Sequence, residues 1–270
     1  MREPGIYYDV PEEEYHRDDA FSQSQAKVLA VSPAKYKWQL EHPDERDTSA
    51  FDKGKVAHAL VLGVGAKVAI VPASLLATNG AATTTKAKEF IAEHKARGYT
   101  VIKEAEFAEI EAMAKALKEH AEAAELLSRE GHPEVSMWWD DPRTGIRCRA
   151  RVDWLTTTPG GAPLNVDYKS TADAGPRAFA NSCADYGYHV QAGAYEMALR
   201  ILTGAEEVTS KLIAQEKKAP YFVAVYDIAP WDVNIGADRW LEALDRLAWC
   251  REHDEWPGYA GGQLVMPSWS

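Results

Sequence analysis

The chain has 270 residues, 46% apolar and 26% charged, enough for one large domain with a substantial core and ordinary for a globular protein. Its 30 Lys and Arg stand against 41 Asp and Glu, a net charge of −11. That excludes a surface that is basic all round, but it leaves room for a local basic cleft, because a partner senses local potential.

No run of about 18 apolar residues predicts a membrane span. The opening "MREPGIYYDVPEEEY" lacks the apolar centre of a signal peptide. Cys148, Cys183 and Cys250 are far apart and form no CxxC pair for zinc, an iron–sulfur cluster or redox work. A reducing, cytoplasmic setting and no membrane partner are expected.

Along the chain, residues 1–20 read as irregular. "FSQSQAKVLAVSP" predicts a short helix capped by Ser22 or Ser24, and Ser32-Pro33 opens a second over "AKYKWQLEH". "DERDTSAFD" reads as a polar loop. "KGKVAHALVLG" reads as a helix ending near Gly63, "AKVAIVP" as a strand, and residues 76–86 as a Thr-rich loop. Helices over about 86–97 and 104–129 follow. The second carries much of the acid, with Glu and Lys at helical spacing, so that charge sits on a solvated face.

"EVSMWWDDPRTGIRCRARVDWLTTTPGGAPLNVDYKST" predicts a three-strand meander with turns at "DDPRTG" and "TTTPGGAP". A helix over "YHVQAGAYEMALRILTG", two strands in "KLIAQEKKAPYFVAVYDI", a helix over "GADRWLEALDRLAWCREH" and an irregular tail from about 254 to 270 complete the pattern. The expected fold is α/β: one domain with a central mixed sheet flanked by helices, carrying an N-terminal helical elaboration over about residues 1–50.

Side chains alternate across a sheet. In "GIRCRARVDWL", Ile146, Cys148, Ala150, Val152 and Trp154 share an apolar face, and Arg147, Arg149, Arg151 and Asp153 share the other. In the next strand Leu164, Val166 and Tyr168 face one way while Asp167 and Lys169 face the other. If the two strands pair through "TTTPGGAP", Asp153 and Asp167 approach with Lys169 beside them. Two close carboxylates repel unless a cation neutralises them. Hard oxygen donors suit Mg²⁺ or Mn²⁺, a lysine can serve an attacking water, and arginines can hold phosphodiester oxygens. The pattern therefore points to metal-assisted phosphodiester hydrolysis. Taken singly, the same residues also fit a surface cross-strand ion pair.

With "GIYYDVPEEEYH", "FSQSQAKVLAVSPAKYKW", "KGKVAHALVLG", "RCRARVDWL", "VDYKSTADA", "YHVQAGAYEMAL" and the closing "VMPSW", most of the chain resembles the PD-(D/E)XK nuclease superfamily, and within it the RecE-type exodeoxyribonuclease family (exonuclease VIII, of the RecB-like branch). The resemblance implies a PD-(D/E)XK restriction-endonuclease-like core and a Mg²⁺-dependent enzyme, with Mn²⁺ a substitute. It makes Asp153 and Asp167 acidic ligands, Lys169 the catalytic lysine, and His58 and the backbone carbonyl of Tyr168 further ligands. Gln191 and Tyr195 match a Q-x-x-x-Y motif, placing them, with Arg149 and Arg151, toward DNA. It further implies a processive 5′→3′ exonuclease acting on duplex ends, a RecT-like single-strand annealing partner, and a homo-oligomer such as a tetrameric ring. The sequence departs from the motif in having Val152 where the superfamily pattern has proline, and Asp167 rather than Glu as the second acid. Glu134 and the helix start at Ser22–Gln25 are secondary candidates, the latter fully explained by capping alone.

Overall fold

In the computed structural model, which describes residues 2–42, 56, 58–60, 67–259 and 261–263, the opening segment is ordered rather than irregular. It forms β1 (Gly5–Tyr7), α1 (Glu12–Arg17) and β2 (Phe21–Ser22). α2 (Gln23–Val31) starts where the Ser22 backbone N–H donates to Gln25 Oε1. α3 (Pro33–Glu41) starts at Ser32, whose hydroxyl accepts from the Lys35 N–H. Both starts follow from capping chemistry written in the sequence. Val56 and His58–Leu60 are helical, as "KGKVAHALVLG" predicts. The rest of that segment, the loop "DERDTSAFD" and the closing "VMPSW" lie outside the described residues.

β3 (Val68–Val71) and β4 (Thr100–Lys103) form a parallel pair around α4 (Thr85–Ala96). The expected long acidic helix is two, α5 (Glu104–Glu119) and α6 (Ala121–Ser128). His120 is extended at ψ 111°, and its Nδ1 accepts the Ala123 N–H as the cap of α6. The meander follows as β5 (Gly131–Asp140), β6 (Arg147–Thr157) and β7 (Pro163–Thr171). α7 (Pro176–Tyr186) was not anticipated, although Gly175-Pro176 and Gly187 bracket it with standard start and stop chemistry. α8 (Tyr188–Thr203) ends at left-handed Gly204. β8 (Thr209–Glu216) and β9 (Val223–Asp227) precede α9 (Pro230–His253), which begins at Pro230 rather than near Gly236.

The large sheet runs β1-β5-β6-β7-β8-β9, antiparallel except for the parallel β7–β8 contact. β2 pairs in parallel with β6 at Cys148 and Arg149. β7 pairs with β6 only from Trp154 onward. Between those two contacts the edge of β6 is uncovered, and Asp153 lies there. The predicted α/β fold with a central mixed sheet flanked by helices is the one observed.

Two of the apolar clusters on the sheet frame the site. One joins Phe21, Trp139, Cys148, Ala150 and Val152 to Leu199 of α8 and to Trp240 and Leu244 of α9, with Phe21 stacked on Trp240 at 5.4 Å. The other joins Leu164, Val166, Tyr168 and Ile213 to Leu117 and Leu126. Trp154 was expected beside Val152 but packs with this second cluster. The β5–β6 ladder skips Glu134 and Asp153, and Glu134 sits at φ 53°, so the strict alternation slips there. α8 and α9 meet at backbone distance: a Cβ on Gly193 would lie 2.4 Å from the Ala237 nitrogen. That contact fixes the helix carrying Gln191. Among the described residues no helix is long and apolar enough to cross a membrane.

Candidate active site

The site forms where β6 and β7 part. Past Trp154↔Val166 the two strands no longer pair; instead Asp153 Oδ2 accepts the backbone N–H of Tyr168 at 2.8 Å. A strand residue points its N–H and C=O to the same edge, so the Tyr168 carbonyl also faces this gap. The Tyr168 side chain leaves on the other side, into the second core, where its hydroxyl donates to Gln215 Oε1 at 2.7 Å.

His58 joins from its helix. Its Nε2 lies 2.9 Å from Asp153 Oδ2 and its Nδ1 2.9 Å from Glu134 Oε1. Asp167, 2% exposed, is held by Gln191: Nε2 donates to Asp167 Oδ1 at 2.6 Å, while Gln191 Oε1 accepts from Lys169 Nζ at 3.1 Å. Lys169 Nζ also lies 2.5 Å from Asp167 Oδ2, a close ion pair. Thus His58, Asp153, Asp167, Lys169, Gln191 and the Tyr168 backbone are brought together, as the sequence implies.

The charges are mutually arranged. Burial disfavours a charged His58, but Asp153 and Glu134 outweigh it and push the imidazole up to about 10. Burial and then the Asp153 charge push Asp167 up to about 6, against Lys169 and His58. Burial likewise opposes the Asp153 charge, yet His58, Lys169 and the Tyr168 N–H hold that carboxyl below its usual range. Against its own burial, Lys169 is held above the usual lysine value by Asp167 and Asp153. The two carboxylates are therefore neutralised by an imidazolium and an ammonium.

Among the described residues no three His, Cys, Asp or Glu side chains form a ready metal-holding group, and Asp167 is engaged by Lys169 and Gln191. The donors nonetheless fit a hard divalent ion in kind. Two carboxylates, one buried and one half-buried, share the gap with an imidazole and a backbone carbonyl, all hard or borderline donors.

Three residues expected at DNA make contacts within the fold. Arg149 is 6% exposed; it donates to the Tyr15 carbonyl and lies over the Tyr15 ring at 4.9 Å. Arg151 donates to the Val10 carbonyl at 2.9 Å and to Ser136 Oγ at 3.0 Å, with its guanidinium 4.3 Å from the same ring. The cause is the N-terminal segment, read as irregular, whose Val10, Tyr15 and Ala20 pack with Trp138 over that face. Tyr195 belongs to the main core, and burial, then the charges of Tyr15, Asp167 and Asp153, push its hydroxyl well up, so it borders the acidic pair from behind. Arg149 is held within the fold, while Arg151 also lies 3.6 Å from Glu134. Arg149→Ala is expected to lower unfolding stability by about 2–4 kcal/mol, for lost charge-assisted hydrogen bonds and the ring contact. The DNA affinity of the folded variant should stay unchanged, as denaturant melts paired with anisotropy titrations will show.

Glu134 contributes more than the sequence indicated. Its left-handed backbone (φ 53°) is unusual for a non-glycine residue. Its carboxylate receives His58 Nδ1, and its other oxygen lies 3.6 Å from Arg151 Nη1. An acid on the far nitrogen of a ligand imidazole fixes its tautomer and orientation. Glu134→Ala should weaken Mn²⁺ binding about 10–100-fold, and Glu134→Gln, which still accepts from Nδ1–H, should retain most of it; titration calorimetry distinguishes the two. The only signal in the sequence was an acid placed at the start of a strand otherwise apolar or small.

A mixed sheet with Asp153, Asp167 and Lys169 gathered at a strand divergence defines a PD-(D/E)XK nuclease-like domain. The chain belongs to the family described as "PDDEXK-like domain of unknown function (DUF3799)", whose model matches residues 22–265. Among solved structures it is similar to one described as a "Putative exonuclease" from Eubacterium rectale, with a TM-score of 0.61 and 13% identity over 96% of this chain and 97% of that one. At that identity the likeness shows the fold. A second structure, SSO0001, is 12% identical over 72% of this chain and 85% of its own, with a TM-score of 0.30 that carries no argument. No curated protein matches the chain.

Proposed function

We propose that the protein is a divalent-metal-dependent deoxyribonuclease, using Mg²⁺ or Mn²⁺, that degrades duplex DNA from its ends, processively and 5′→3′. The observation that carries the hydrolytic reading is the largely buried quartet of His58, Asp153, Asp167 and Lys169 at one strand divergence, with Asp167 fully buried and the other three half-buried. Acids and bases this costly to bury gather at sites of chemistry. Preference for ends, polarity and processivity rest on the RecE-type resemblance, and the exonuclease description of the Eubacterium rectale protein is in keeping with them. A RecT-like annealing partner and a ring-shaped homo-oligomer in the cytoplasm complete the proposal on the same basis.

Asp153, Asp167, the Tyr168 carbonyl and His58 would hold the metal, which supplies a Lewis acid for the phosphate and lowers the pKa of the attacking water. The chain's own groups do the rest. Glu134 keeps a proton on His58 Nδ1, so that Nε2, which faces Asp153 in this structure, is the nitrogen that would turn to a metal once it has lost its proton. Gln191 holds Asp167 and Lys169 in register from α8. Lys169 stays an ammonium, so it orients the water and offsets charge growing on the phosphoryl oxygens. Water adds across the phosphodiester bond.

The test is digestion of end-labelled linear duplex and closed circular DNA with Mg²⁺, with and without EDTA. Loss of linear DNA alone, abolished by EDTA, is expected. Cleavage of closed circles would replace the exonuclease reading with an endonucleolytic one, and inertness toward both would favour a non-catalytic DNA-binding module.

A further inference from the structure

One cation near the site has no place in that chemistry. Lys27, on α2, has no carboxylate within ion-pair distance among the described residues, and its Nζ lies 5.9 Å from the centre of the Tyr188 ring. Lys169 Nζ is 4.7 Å from the same ring. Burial and then the charge of Lys169 push Lys27 down to about 8, with Asp167 partly opposing. The site thus already feels this second ammonium.

Outward from Tyr188, Gly187 adopts a left-handed conformation (φ 64°) between α7 and α8. That places Tyr186 and Tyr188 ring on ring, with centroids 5.8 Å apart and planes 24° apart. The Gly187 carbonyl is fixed by the Gln23 side chain at 3.3 Å and the Gln191 N–H at 3.1 Å. Tyr188 also packs near Phe179, at 6.1 Å. The outer ring, Tyr186, is 60% exposed. A rigid aromatic ledge therefore leads from the catalytic lysine to solvent, with an uncommitted ammonium along its side.

We propose that Lys27, Tyr188 and Tyr186 form a nucleotide subsite next to the reacting phosphate, in which Lys27 holds an adjoining phosphate and Tyr186 stacks on an unpaired base, so that the substrate strand enters the site single-stranded. This rests on the nuclease reading. A phosphate needs a cation without a carboxylate partner, which Lys27 is. A base needs an open π-face, and paired bases inside a duplex do not present one. A protein partner would explain the exposed ring but not the ammonium beside the catalytic one.

The experiment is an abasic scan. Duplexes with a short single-stranded end carry one abasic nucleotide at successive positions, and binding is read by anisotropy with Ca²⁺ replacing Mg²⁺. In the unaltered protein one position should weaken binding roughly tenfold. Tyr186→Ala should lose a similar factor on intact DNA and show a flat scan, and Tyr186→Phe should behave as the unaltered protein. Lys27→Met should raise KM with a smaller effect on kcat and lower the salt slope by about one; circular dichroism melts confirm folding. A flat scan in an unaltered, active protein, or an unchanged KM in Tyr186→Ala, would overturn the subsite alone. A protein that degrades no DNA would overturn the subsite together with the nuclease reading.

Discussion

Lys169→Met should remove about 10²–10⁴-fold of the Mg²⁺-dependent digestion rate, and Asp167→Ala should bring it below detection, with both proteins folded. The ammonium lies at the centre of the site, 2.5 Å from Asp167 Oδ2 and 3.1 Å from Gln191 Oε1. Methionine keeps the stem and deletes only the charge. Lys169→Arg should not restore activity: a guanidinium is larger and planar, and it cannot occupy a point-charge position between Asp167, Gln191 and the Tyr188 ring. Digestion of a labelled linear duplex, with thermal melts as the folding control, decides the matter. Lys169→Met at the unaltered rate would remove this lysine from the mechanism and move the chemistry elsewhere.

The acids and the lysine were legible because their signal is local. Asp-x-Lys on a strand with Leu164, Val166 and Tyr168 behind it fixes which side chains share a face, and the short hairpin fixes which residues meet. Gln191 followed the same logic one helix away. The arginine row misled because alternation tells which side of a strand a residue takes, not what covers that side. Residues 5–22 cover it through pairings 130 or so residues distant in sequence, such as Gly5↔Trp138 and Phe21↔Cys148, and no periodicity predicts those. Tyr195 shows a related limit. One turn from Gln191 puts it on nearly the same helix face, but the helix lies on the sheet, so its ring enters the core while its hydroxyl stays within reach of the Asp153 and Asp167 charges. The role of Glu134 depended on one left-handed backbone position and on the approach of His58, neither of which leaves a mark on composition.

The affinity of the metal-free protein for Mn²⁺ should rise about tenfold for each pH unit between about 6.5 and 9. The sign follows from which groups carry protons before the metal arrives. Against its own burial, His58 is pushed up to about 10 by Asp153 and Glu134, so across this range it is an imidazolium. A ligand nitrogen must be deprotonated, so each binding event expels one proton, and raising the pH favours binding. Below about pH 6 Asp167 also holds a proton, so the dependence should steepen toward two protons per metal as the pH falls through that value. The same bookkeeping makes metal a stabiliser of the fold: at a hundredfold excess over Kd it should contribute about 2.7 kcal/mol, and that shift should vanish with EDTA. Calorimetry in two buffers of different ionisation enthalpy counts the protons directly. In His58→Ala the count between about pH 8 and 9 should fall and the affinity should lose most of its slope there, while the carboxylates, no longer held down by the imidazolium, release their protons at higher pH than before. A slope already absent in the unaltered protein between pH 7 and 9 would mean that His58 keeps its proton throughout, bridging Glu134 and Asp153 as a structural cation while the metal takes only the carboxylates.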